Sequence, residues 1–327
     1  MKKKAIILVL VLCGSCLLLA KGSNNGPLPH QKTDVLRRLP IMHTTKNRVV
    51  LPIRKAGNLI LIQGRADTLQ GSFILDTGAP YLVLNQTYFR NYRDNPEEQS
   101  VNINGEKEDL KIVEVDSLYF QDVSYNKVIA DVTDLSQIEN RKGVRILGLL
   151  GINLFLDFEM EIDLSNNVLY LNRLTEEGQC ENQKAIVYHR SPAFTTPLSL
   201  SREMVTFKGT VNDEELRFCF DTGAEYNVLD ARVPKNVLED VTIVRKMQLY
   251  GSSGGANEVL AGVTHFVNIE GYPLANMQTI ISKLEALRAA YGTHIDGIIG
   301  YQLLARGTVC VNFKKKELRF YTPFTEK

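Results

Sequence analysis

FCFDTGAEYNVLD, residues 218–230, runs an apolar strand pattern straight into Asp221. An ionised carboxylate buried at the end of such a strand costs several kcal/mol unless hydrogen bonds or a partner compensate it, so the aspartate needs a reason. FILDTGAPYLVLN, residues 73–85, supplies one: the same pattern recurs around Asp76, 145 residues earlier. In both copies an apolar run meets Asp-Thr-Gly-Ala, and a second apolar run follows after two residues. A second acid that faces the first is what such a repeat provides.

The repeat extends beyond these loops. ILGLLGINLFLDFEMEIDLSNNVLYL (146–171) aligns without gaps to IDGIIGYQLLARGTVCVNFKKKELRFY (295–321) at an offset of 149, pairing Gly148 with Gly297, Gly151 with Gly300, Asp163 with Asn312 and Leu169 with Leu318. From aspartate to the first of these glycines the copies run 72 and 76 residues, so two lobes of nearly equal length are expected. Each copy holds short β-type runs, LKIVEV and KVIADV in the first, VTIVRKMQLY and THFVNI in the second, broken by turn signals such as NGEK and GSSGGAN. A helical segment precedes each glycine segment, DLSQIEN in the first and SKLEALRAAY in the second. Between the copies lies NRLTEEGQCENQ (172–183), polar and aperiodic. The expected division is a leader over 1–22, a tether or pro-segment over 23–48, a first lobe over 49–171, a linker over 172–185 and a second lobe over 186–327.

With 327 residues and 44% hydrophobic content the chain can bury two cores or one large β core. Lys plus Arg number 38 against 37 for Asp plus Glu, and no basic stripe is interleaved with aromatics. Nothing in the charge favours a nucleic-acid partner.

MKKK followed by the 16 apolar-rich residues AIILVLVLCGSCLLLA has the plan of an export signal, with cleavage expected after Gly22. Losing four lysines takes the formal charge from +1 to −3. A second reading is a lipoprotein signal with Cys16 as the attachment site, preceded by Gly14 and Ser15; a lipid there would be the chain's one route to a membrane. The chain is therefore expected outside the cytoplasm: periplasmic, on the outer membrane, or secreted. Beyond the leader only Cys180, Cys219 and Cys310 remain, too few for a dense disulfide framework. Cys219 reads as a small buried apolar residue, and a Cys180–Cys310 bridge is an open option. Basic residues Lys32, Arg37, Arg38, Lys46 and Arg48 mark the segment ahead of the first convincing strand.

Two carboxylates within hydrogen-bond distance cannot both ionise cheaply, so they share a proton and titrate as a pair, one serving as base and the other as acid. The other letters of the loop have physical roles. Gly78 and Gly223 let backbone amides approach the carboxylates, and Thr77 and Thr222 bring hydroxyls that can fix the loops. A strand passing tightly behind each loop also calls for glycine, which Gly151 and Gly300 supply.

Asp-Thr-Gly-Ala followed later by two apolar residues and glycine, twice in one chain, resembles the aspartic peptidases of pepsin and retropepsin type, over roughly residues 49–321. The alanines Ala79 and Ala224 are closer to the retropepsin pattern, since pepsin-type loops carry Ser or Thr there. The chain thus looks like two retropepsin-like halves in one polypeptide, as in exported bacterial aspartyl protease-like proteins. The resemblance implies an all-β bilobal fold, each lobe a closed β-structure with a short helix. It implies an interlobe cleft for an extended peptide or protein substrate, with Asp76 and Asp221 as the catalytic pair and no cofactor. It also implies a glycine-bearing hairpin closing over the cleft: Gly105 lies 29 residues after Asp76, and Gly251, with Tyr250 before it and Gly254 three residues on, lies 30 after Asp221. The missing hydroxyl after each glycine predicts an activity optimum less acidic than that of pepsin, because a bond that would stabilise the ionised carboxylate is absent twice.

Other motifs carry less. GSSGG at 251–255 fits the spacing of a serine nucleophile elbow at Ser253, but an elbow needs a helix next, and the following EVLAGVTHFVNI has a β pattern. His30, His43, His189, His265 and His294 form no metal-binding spacing, and no metal is expected. Asp157, Glu159, Glu161 and Asp163 alternate with apolar residues, the pattern of a strand with one wet face. Two functional classes follow: a peptidase, and a catalytically silent peptide-binding or scaffold protein of the same fold.

Overall fold

A computed structural model describes residues 7–9, 39–92, 111–181, 191–201, 204–250 and 256–323. A short strand β1 (Ile7–Val9) pairs in parallel with Gln248–Tyr250. The first lobe comprises β2 (Ile41–His43), β3 (Arg48–Ala56), β4 (Leu59–Ala66), β5 (Leu69–Leu75), β6 (Leu82–Asn85), β7 (Lys111–Phe120), β8 (Val123–Thr133), β9 (Ile146–Leu150), β10 (Phe158–Asp163) and β11 (Val168–Arg173). The second comprises β12 (Phe194–Pro197), β13 (Ser199–Ser201), β14 (Met204–Val211), β15 (Glu214–Phe220), β16 (Asn227–Asp230), β17 (Val241–Tyr250), β18 (Ala256–Ile269), β19 (Tyr272–Ser282), β20 (Gly297–Ile299), β21 (Thr308–Asn312) and β22 (Glu317–Tyr321).

The duplication read from the sequence is a duplication of topology. Strand β5 runs parallel to β9, and β6 lies antiparallel to β9 and parallel to β8; in the second lobe β15, β20, β16 and β19 repeat all three pairings. Asp76 and Asp221 leave the ends of β5 and β15, strands whose last residues are fully buried apolar side chains. The two helices anticipated ahead of the glycine segments are Ser136–Lys142 and Glu285–Tyr291. Both end on a left-handed glycine, Gly143 at φ 65° and Gly292 at φ 55°, where a Cβ would be strained. Short helices at Gln86–Phe89, Lys235–Glu239 and Tyr301–Leu304 are additional to the one expected per lobe.

An antiparallel run of six strands, β12-β22-β21-β10-β11-β3, joins the lobes. At its centre β10 pairs with β21, Met160 opposite Val311 and Glu161 opposite Cys310. A core sector containing Leu61, Ile74 and Leu149 from one lobe and Cys219, Val228 and Ile298 from the other packs behind the two Asp-Thr-Gly-Ala loops. That shared apolar sector removes water from the backs of both loops.

Two expectations need correction, and one open option is closed. The tether drawn over 23–48 enters the first lobe from Ile41: β2 pairs with β8, and Arg48 opens β3 with an ion pair to Glu161 and its guanidinium 3.9 Å from the Tyr170 ring centroid. Glu159 and Glu161 are not on a wet face, being only 2% and 5% exposed. Their strand is central in the interlobe sheet, and they are buried because Arg319 and Arg48 come with them, as burial of a charge requires. No disulfide joins Cys180 to Cys310, while Cys219 is buried as expected.

Candidate active site

The sheet pairings bring Asp76 and Asp221 from 145 residues apart into contact. Each is buried, and each accepts at Oδ1 from the N–H of the glycine two residues on, Gly78 at 2.9 Å and Gly223 at 2.8 Å. Their own N–H groups donate to the strands behind, Asp76 to Leu150 O at 3.1 Å and Asp221 to Ile299 O at 3.0 Å. Such pairings leave the carboxyl groups as the polar ends of otherwise apolar strands.

The glycines have a stronger reason to be there than approach of an amide. A Cβ on Gly78 would lie 2.7 Å from Cγ of Asp221, and one on Gly223 would lie 3.0 Å from Cγ of Asp76. Each glycine therefore makes room for the aspartate of the opposite lobe. Gly151 and Gly300 behave as anticipated: a Cβ there would meet Tyr81 O at 2.2 Å and Asp221 O at 2.0 Å. Gly148 and Gly297, which the sequence offered only as landmarks, are also tight, against Val83 O and Val228 O.

The threonines tie the loops to each other. Thr77 N–H donates to Thr222 Oγ1 and Thr222 N–H to Thr77 Oγ1, both at 3.0 Å. The hydroxyls then donate across the lobes, Thr77 to Phe220 O at 2.9 Å and Thr222 to Leu75 O at 2.8 Å. Four bonds in a closed, buried set fix the residues next to the two acids, and each donor and acceptor is satisfied only if both lobes are present.

Burial holds the Asp76 carboxyl well above the usual range, and the charge of Asp221 pushes it further. Burial also raises Asp221, to about 6, against the lowering effect of N–H groups from Gly223, Ala224 and, across the interface, Gly78. A proton held by Asp76 stabilises the Asp221 carboxylate, so the pair retains one proton where two isolated carboxylates would have none. Ala79 and Ala224 are fully buried, and Oδ2 of each aspartate has no donor among the described residues.

The chain belongs to the aspartyl protease family. The family model for aspartyl proteases matches residues 62–154 and 207–303, one segment per lobe and more than half of the chain. Among solved structures, an aspartic proteinase from Irpex lacteus is 11% identical, with 84% of this chain and 97% of that one covered and a TM-score of 0.48. Basic 7S globulin from soybean is 12% identical, covering 85% and 95% at a TM-score of 0.46. A retropepsin-like aspartic protease from Rickettsia conorii is 18% identical, covering 41% of this chain and 94% of that one, with a TM-score of 0.27. No curated protein matches the sequence. The two-lobed β architecture accords with that family match, one matched segment lying in each lobe.

Of the remaining predicted residues, Gly105, Gly251 and Gly254 lie outside the described residues, as does Cys16. Tyr250 ends β17, which forms a long hairpin with β18; strand, not helix, follows the GSSGG segment, against a nucleophile elbow. Among the described residues no group of His, Cys, Asp and Glu is placed to hold a metal ion, and no helix is long and apolar enough to cross a membrane. Sequence reasoning missed Glu225, Asn58, Lys142 and Tyr291, which link the lobes behind the loops. A charged residue directly after Asp-Thr-Gly-Ala, where the first copy has Pro80, was the available signal for Glu225.

Proposed function

We propose that this chain is an aspartic endopeptidase that hydrolyses peptide bonds with Asp76 and Asp221. The observation that supports it most is the juxtaposition of two buried carboxyls, each packed against the glycine of the opposite loop, while four threonine bonds hold the loops together. In this reading the Asp221 carboxylate takes a proton from a water lying between the acids, and the water oxygen attacks the peptide carbonyl carbon. Asp76 donates its proton to the carbonyl oxygen, stabilising the tetrahedral intermediate. Collapse returns that proton to Asp76 and passes the one on Asp221 to the amine nitrogen as the carbon–nitrogen bond breaks. The substrate is a peptide or protein segment in the interlobe cleft, and no cofactor takes part.

Export by the leader over 1–22, with Cys16 as an alternative lipid-attachment site, belongs to the same proposal: the peptidase would act in the bacterial envelope or outside the cell. The test of the activity is cleavage of a diverse peptide library by the folded protein beside Asp76→Asn and Asp221→Asn. Loss of cleavage in both variants is the expected result. Cleavage that survives either substitution would refute the assignment, and folded wild-type protein that cleaves nothing at any pH would favour a silent peptide-binding role.

A further inference from the structure

Two side-chain links cross between the lobes behind the acids, and neither comes from the Asp-Thr-Gly-Ala motif. Glu225 follows Ala224 and is 4% exposed. Its Oε2 accepts from Asn58 N–H at 3.0 Å, its Oε1 pairs with Lys142 Nζ at 2.5 Å, and its backbone oxygen accepts from Asn58 Nδ2 at 3.3 Å. Asn58 sits in the β3–β4 turn and Lys142 is the last residue of the Ser136–Lys142 helix, so both partners belong to the opposite lobe. Gly57, at φ 63°, presses that turn onto the pair: a Cβ there would lie 3.0 Å from Lys142 Nζ and 3.2 Å from Glu225 Oε2.

The first lobe has no matching charge. Pro80 occupies the position 145 residues before Glu225, and Tyr291, 149 residues after Lys142, reaches the first lobe's loop with a neutral hydroxyl, donating to Gly78 O at 3.4 Å. The threonine bonds pin the second loop one residue after Asp221, and Glu225 pins it again four residues after. The loop's backbone bonds, Asp221 N–H to Ile299 O and Tyr301 N–H to Ala224 O, tie it to its own lobe, whereas the threonines and Glu225 tie it to the opposite one at two separate points.

We propose that Glu225, clamped by Lys142 and Asn58, is a positioning residue that fixes the approach of Asp221 to Asp76. The proposal rests on the dyad reading above. Coupling between two carboxyls falls with their separation, so loosening this clamp reaches the shared proton before it reaches substrate affinity.

The experiment compares the full chain with Lys142→Met, Lys142→Arg and Glu225→Gln, following kcat and KM against pH on a cleaved peptide together with melting temperature. Lys142→Met and Glu225→Gln are expected to lower kcat about 10- to 100-fold with KM changed less than about threefold, and to bring the acid and basic limbs of the profile together. Lys142→Arg should recover most of the rate. Glu215→Gln, which breaks the exposed Lys208–Glu215 pair, should move none of these. A lowered melting temperature with an unchanged kcat profile would overturn the proposal and leave the pair a structural one. If Lys142→Met does not fold, Asn58→Ala, which removes only the amide bond to Glu225 O, is read in the same way. If the wild-type chain cleaves nothing, the activity has failed but this inference is still decided by NMR titration of Asp76 and Asp221 in the full chain. Two steps closer together in Lys142→Met than in wild type support it, and identical steps refute it.

Discussion

The two lobes present nearly identical loops but anchor them with opposite chemistry. In the first lobe, Asn85 ends β6 and satisfies three backbone groups, donating to Ile146 O at 2.9 Å and accepting from Thr87 N–H at 3.1 Å and Leu135 N–H at 3.3 Å. Glu139, on the neighbouring helix, accepts from Ile146 N–H and from the Tyr88 hydroxyl, each at 2.7 Å. In the second lobe the residue 145 further on is Asp230, fully buried, and the counterpart of Glu139 is Arg288. Arg288 pairs with Asp230 at 2.8 Å and donates from Nε to Ile295 O at 2.7 Å. A half-buried acid accepting from a backbone N–H has been replaced by a half-buried base donating to a backbone oxygen at the same place in the fold. What duplication preserved is the requirement that every buried backbone group be satisfied, not the side chains that satisfy it.

The sharpest way to break this comparison is to remove the base. Arg288→Ala leaves the buried Asp230 with only the half-exposed Arg232, at 3.5 Å, as a counter-charge and should destabilise the second lobe by up to about 3–5 kcal/mol. Asn85→Ala in the first lobe strands only neutral groups and should cost less, about 1–3 kcal/mol. Denaturant unfolding of both variants checks the order, and equal losses would mean that the charge at the second anchor carries no special cost.

The threonines should behave alike where the anchors differ. Thr77→Val and Thr222→Val each remove one hydroxyl from the same closed set, so each should cost about 2–3 kcal/mol, and the double variant less than the two losses added. Additive losses in a double-mutant cycle would show two independent contacts instead of one cross-lobe unit.

Linkage sharpens the comparison of the acids. Asp221 has its folded-state pKa raised to about 6 from an ordinary value of 3.8, so the folded protein holds a proton that the unfolded chain releases. Its contribution to stability is full below about pH 4 and is lost as pH rises through about 6. Asp221→Asn removes this penalty and should raise stability near pH 7 by on the order of 2 kcal/mol, with little gain near pH 4. Melting curves at the two values measure it, and a gain confined to acid would reverse the sign of the argument. The smallest effect expected is that of Ala224→Ser, which offers a hydroxyl to the unpartnered Oδ2 of Asp221 and should move the activity optimum toward acid by less than about one pH unit.

Much of this architecture was legible because duplication turns a weak signal into a strong one. A single Asp-Thr-Gly is a common turn, but two copies 145 residues apart, each followed by an apolar-apolar-glycine segment, fixed both the lobes and the facing acids. The helices before those segments were also readable, since their apolar spacing is local. What could not be read is chemistry that depends on pairing between strands distant in sequence. Alternating acids look wet until β21 is known to lie beside β10, which encloses Glu159 and Glu161. The anchors at Asn85 and Asp230 share no letters beyond their place, and the Lys142–Glu225 link joins residues 83 apart in different repeats. Glycine at 78 and 223 was legible as close approach, but the partner approached was in the other lobe.

The central claim is that Asp76 and Asp221 hold one proton between them. Carbon-13 NMR of aspartate carboxyls across the pH range, in wild type and in Asp76→Asn, measures this directly. Wild type should give two coupled steps, both above the ordinary aspartate range and each sensed at both carboxyls, and the Asp76→Asn variant a single step at Asp221. Two independent titrations near pH 4 in the folded wild-type protein would contradict a shared proton, and with it the reading of the two loops as one site.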